Sequence, residues 1–72
     1  MIPQAKTESD TKTLREWRAF KRLTKSKVAK FLDVHPSTYA SMENKPMDVT
    51  VREAAILAEL FECRVEEINF FE

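Results

Sequence analysis

The 72-residue chain predicts an all-α domain, a compact set of five short helices. Two observations carry this. Apolar residues recur at helical spacing behind residues suited to helix N-caps. The chain also contains no glycine, so no hairpin turn of the Asn-Gly type is available to join strands. A core of this size rarely supplies more than ~3–5 kcal/mol, so association with a partner or a second copy would matter.

Residues 1–12 mix Pro3 with Ser, Thr and both charges and read as a flexible arm, leaving 13–72 as the domain. Thr13 followed by Glu16 fits a capping box, opening a first helix over about Leu14–Arg22 with Leu14 and Trp17 inward. Thr24 suits the N-cap of a second helix ending near Leu32, whose apolar face is Val28, Ala29 and Leu32. A connection at Asp33 and Val34 leads to His35, and Pro36 stands where proline is favoured, at the first position of a third helix. That helix runs to about Asn44, buries Tyr39 and Met42, and stops before Pro46. Thr50 and Glu53 form a second capping-box pair opening a fourth helix, Val51 to about Glu62. A fifth, about Val65–Phe70, is expected to turn Val65 and Ile68 inward.

The formal net charge is zero, but it is unevenly spread. Between Lys12 and Lys30 eight bases face only Glu16, a net +7, whereas residues 31–72 carry −6. The first half can therefore attract a polyanion and the second half repels one. One cysteine, Cys63, and one histidine, His35, allow neither an internal disulfide nor a metal site. No nucleophile–base pair and no glycine-rich phosphate loop is present, so neither enzymatic activity nor a cofactor or small-molecule substrate is expected. The polar first dozen residues and the lack of a long apolar run predict a cytoplasmic protein with no membrane partner.

Two helices joined by about three residues can set the second across the first, free to enter a major groove. Five stretches carry a family resemblance: Leu23-Thr24-Lys25, Val28-Ala29, Leu32-Asp33-Val34, Ser37-Thr38-Tyr39 and Met42-Glu43-Asn44. The tail stretches Leu57-Ala58-Glu59 and Val65-Glu66-Glu67-Ile68 complete the pattern. In these the chain resembles the XRE helix-turn-helix family, which includes the Cro and cI repressors of phages, over about Leu14–Phe70. It looks like a small temperate-phage protein of Cro type or a modulator of repression. The resemblance implies a Cro/cI-like fold with the helix-turn-helix in helices two and three. It implies that Lys25 meets the DNA backbone, that Pro36, Ser37 and Ser41 face base edges, that His35 caps the third helix, and that Thr38 reaches a phosphate. Lys27, Asn44 and Lys45 complete the expected DNA-binding set. Arg18 and Glu43 match a family ion pair between helices one and three, a structural feature.

The chain departs from the family in three ways. Arg22, Asp33, Lys45 and Glu62 fill positions where the family has glycine; aspartate tolerates left-handed backbone, so Asp33 suits its turn, while the other three would cost up to roughly 1–2 kcal/mol each there. The third helix lacks the Arg, Lys, Asn or Gln at its start that would read bases by paired hydrogen bonds. Finally, Phe20, Phe31, Ile56 and Leu60 are apolar where the family is usually polar, Phe70 and Phe71 add more apolar surface at the C-terminus, and such surfaces mark partner interfaces. Any one of them alone is as readily explained as core.

Two functions follow. The first is a transcriptional regulator that binds a duplex operator, with a homodimer as the expected assembly. The second is an antirepressor that binds a partner helix-turn-helix repressor and blocks its DNA-binding surface.

Overall fold

The computed structural model describes residues 11–71. Among them are four α-helices: α1 (Leu14–Phe20), α2 (Lys25–Leu32), α3 (Pro36–Asn44) and α4 (Val51–Phe61). Two 3-10 turns, Pro46–Asp48 and Val65–Glu67, and two short strands, β1 (Lys12–Thr13) and β2 (Ile68–Asn69), complete the chain. Residues 1–10 of the expected arm lie outside the described residues, and its last residue, Lys12, sits in β1.

The helices start where local chemistry dictates. Thr13 and Glu16 close a full capping box on α1, with each side chain bonded to the other's backbone N–H, at 3.2 and 2.9 Å. Thr50 and Glu53 repeat the device on α4. Thr24 caps α2 by accepting from Lys27 N–H. The apolar faces then meet in one core of Leu14, Trp17, Val28, Ala29, Leu32, Tyr39, Met42, Leu57, Ala58, Phe61 and Ile68. Trp17 anchors it, stacking on Phe61 with ring centroids 6.2 Å apart and donating from Nε1 to Glu67 O at 2.9 Å.

The expected fifth helix is corrected. After one 3-10 turn the backbone extends, and β2 pairs in parallel with β1, Lys12 against Ile68 and Thr13 against Asn69. The Trp17 bond holds the Glu67 carbonyl, and Glu67 Oε1 accepts from Arg64 N–H at 2.7 Å, so the turn closes on itself instead of propagating. Ile68 is buried as expected, but Val65 points outward and is 40% exposed.

Three of the four glycine-free corners are left-handed: Arg22, Asp33 and Glu62 have φ of 58°, 64° and 59°. Each closes a helix with the two bonds of a Schellman turn, such as Leu23 N–H to Arg18 O and Val34 N–H to Ala29 O, both 3.0 Å. Lys45 differs, with φ −131° and ψ 68°. Proline at 46 pushes the preceding residue toward extended backbone and offers no N–H for the second Schellman bond.

Candidate nucleic-acid interface

α2 and α3 pack on each other and are joined by only Asp33, Val34 and His35. α3 begins with a tightly defined cap. His35 Nδ1 accepts from Ser37 N–H at 3.1 Å and lies 2.9 Å from Ser37 Oγ. A backbone N–H only donates, so Nδ1 carries no proton in this geometry and the ring N–H is on Nε2. The far end of α3 is tied to α1. Arg18 Nε donates to Glu43 Oε2 at 2.6 Å, while Arg18 Nη1 donates to Leu23 O at 3.2 Å. One guanidinium therefore joins α1, the α1–α2 corner and α3.

Glu43 is the buried carboxylate among the described residues, its side chain 1% exposed. Burial pushes its pKa up, but hydrogen bonding from Arg18, the adjacent Tyr39 hydroxyl and the nearby charges of Arg18 and Lys25 outweigh this and hold it below the ordinary carboxylate range. Arg15 adds a second cation at 3.6 Å. The Tyr39 hydroxyl is buried beside the pair, and burial foremost raises its pKa. It has no hydrogen bond of acceptable geometry among the described residues.

With α3 held from inside, its outer face is open. Pro36, Ser37, Thr38, Ser41, Asn44 and Lys45 are all exposed, as are His35, Lys25 and Lys27. Much of their polarity is already used locally. Ser37 Oγ meets His35, Ser41 Oγ donates to Ser37 O at 3.2 Å, and Asn44 Oδ1 accepts from Arg15 at 3.4 Å.

The bases of the first half divide in the same way. Arg18 and Lys21 form ion pairs, Arg15 lies beside Glu43, and Lys12 sits 4.8 Å over the rings of both Trp17 and Phe20. Arg22, Lys25, Lys27 and Lys30 have no acid within ion-pair distance among the described residues. Of these, Lys25 is near enough for its charge to act on Glu43, whereas Lys27 and Lys30 line a hollow beside Phe31 of α2 and Leu60 of α4.

The six apolar departures do not form one patch. Phe20 packs edge-on against Trp17 with a centroid separation of 5.7 Å, yet remains 62% exposed. Phe31 and Leu60 share the hollow just described, and Ile56 lines its neighbour. Phe71, exposed, borders a third hollow with Pro46 and Met47, while Phe70 packs partly against the core. Met47 and Val51 are also exposed and had not been singled out in the sequence, because neither breaks a helical pattern. No helix of the described residues is long and apolar enough to cross a membrane.

Compared with known proteins, residues 14–68 match the model of the helix-turn-helix family. No curated protein and no solved structure matches the chain. The matched span runs from the first residue of α1 to the first of β2, so it takes in all four helices and the capped α2–α3 pair. The chain is a member of the XRE-type helix-turn-helix family of DNA-binding transcriptional regulators.

Proposed function

We propose that the chain regulates transcription by seating α3 in the major groove of an operator while cations at its flanks hold the phosphates. The observation that carries this reading is the division within α3: its inner face is pinned by the buried Arg18–Glu43 pair, and its outer face is open. Lys25 lies at the first position of α2, and Lys45 follows the end of α3. They are the phosphate contacts of this reading, with Thr38 and the His35 Nε2–H between them. Lys27 is set aside, since it borders α4 rather than α3.

Serines and a proline discriminate poorly between bases, so sequence preference should come largely from groove shape and deformability. Selection from a random duplex pool, followed by anisotropy titration of the winners against bulk competitor DNA, tests the proposal. Enriched sites that resist competitor support it, and a pool that stays random with no retained binding refutes it.

A second reading, the antirepressor, is favoured by one observation: exposed apolar side chains at Phe20, Phe31, Met47 and Phe71. It would be supported if the chain removed a helix-turn-helix repressor from that repressor's operator without itself binding DNA.

A further inference from the structure

Three corners of the fold hold a residue other than glycine in left-handed backbone: Arg22, Asp33 and Glu62. A β-carbon is disfavoured there, and such backbone persists where something offsets it. The three corners differ in what that is. Asp33 needs no partner, because aspartate visits this conformation more readily than most residues. Glu62 makes a contact that glycine could not, since its Oε1 accepts from Lys21 Nζ at 2.9 Å and ties the end of α4 to the end of α1.

Arg22 has neither property. Its side chain is exposed and makes no hydrogen bond, ion pair or ring contact among the described residues. Its backbone N–H closes α1 on Ala19 O at 3.0 Å, but glycine would supply that bond equally well. Nothing within the described residues therefore offsets the corner at Arg22, and what does so must lie outside them.

The charges around the corner say what kind of group that is. Arg18 is paired with Glu43, and Lys21 with Glu62. Arg22 and Lys25 have no acid within ion-pair distance among the described residues, and Lys25 opens α2 only three residues further on. Three residues span at most about 11 Å. Two unpaired cations so close repel each other, and a polyanion with closely spaced charges relieves both. One DNA strand carries a charge about every 3.4 Å of helix axis, and the guanidinium fork matches the paired oxygens of a phosphate.

We propose that Arg22 holds a backbone phosphate of the operator next to the one met by Lys25, and that this contact offsets its left-handed backbone. The proposal rests on the DNA reading and extends it to a residue outside the expected DNA-binding set.

Anisotropy titration of one selected duplex across a salt series, with thermal melts of the same proteins, tests it. Arg22→Gly should melt no lower than the wild type, because glycine relieves the corner. It should nevertheless bind the duplex about threefold or more weakly, with a log–log salt slope shallower by about 0.9. Arg22→Asn, neutral but tolerant of the same backbone, should lose the same slope, and Arg22→Lys should keep it. Stability held or raised while binding falls is the expected signature, and a residue that only shapes the corner would not give it. The proposal is overturned if Arg22→Gly binds with wild-type affinity and slope, or if it melts lower than the wild type. It is also overturned if Arg22→Lys loses as much slope as Arg22→Asn. In each of these cases a wild type that still binds the duplex with a salt slope leaves the DNA reading standing. A wild type that retains no duplex at any salt ends both.

Discussion

The inner and outer faces of α3 are built on opposite principles. Inside, Tyr39, Met42 and Glu43 are buried, and a carboxylate removed from water is held by a guanidinium at 2.6 Å. Outside, both serines spend their hydroxyls locally, Ser37 on the His35 cap and Ser41 on the Ser37 carbonyl, beside a proline and a threonine. The inner face fixes where the helix points, and the outer face has little with which to read. A helix so placed positions a protein on DNA more than it reads a sequence.

The largest expected effect breaks the inner face. Arg18→Met strands a buried carboxylate and should cost about 3–5 kcal/mol in chemical denaturation, most of it recovered when Glu43→Leu is added. Full stability in the single variant would mean that the pair is incidental. The same pair predicts the acid limb. Glu43 has a folded pKa below its ordinary value of 4.5, so its stabilisation is present above that value and lost as pH falls through the folded one. In Glu43→Leu this part of the pH dependence should disappear from the denaturation midpoints.

The next effect lies at the helix flank. Lys25→Glu should weaken duplex DNA binding by about tenfold or more, beyond what any shift in melting temperature from its charge near Glu43 accounts for, because it reverses a charge placed for a phosphate. If DNA binding is untouched, Lys25 is a solvated surface lysine. A smaller change concerns Tyr39, whose buried hydroxyl lies beside Glu43 without a well-formed hydrogen bond among the described residues. Tyr39→Phe should leave stability the same or raise it by up to about 1 kcal/mol, and a clear loss would show that the hydroxyl supports Glu43. Smallest of all, Ser37→Ala and Ser41→Ala should shift discrimination among duplex sites by less than about 1 kcal/mol each, below what one paired base contact provides. A larger shift in competition titrations would make these serines true readers.

What was legible in the sequence was whatever local chemistry decides. Thr13, Thr24 and Thr50 announce their helices through caps that need only residues three apart, and the bounds of α3 follow from Pro36 and Pro46. The C-terminal segment was misread because its fate is settled by distant contacts. Trp17 holds the Glu67 carbonyl from fifty residues away, and a two-residue strand is too short to show alternation. Lys45 could have been read from its neighbour, since the following proline argues against a left-handed corner. The candidate site was legible as a set of residues but not as an arrangement. Lys25 and Lys27 are two apart in sequence, and only the fold shows the charge of one reaching Glu43 and the other bordering Leu60 of α4.

The most direct test of the account is the salt dependence of DNA affinity, measured by anisotropy on one selected duplex for the wild type and for Lys25→Met. Phosphate-held binding predicts that log affinity falls linearly with log salt, and that the variant's slope is shallower by about 0.9, one released counterion. A flat slope, or the same slope in both proteins, would contradict the claim that Lys25 holds a phosphate while α3 lies in the groove.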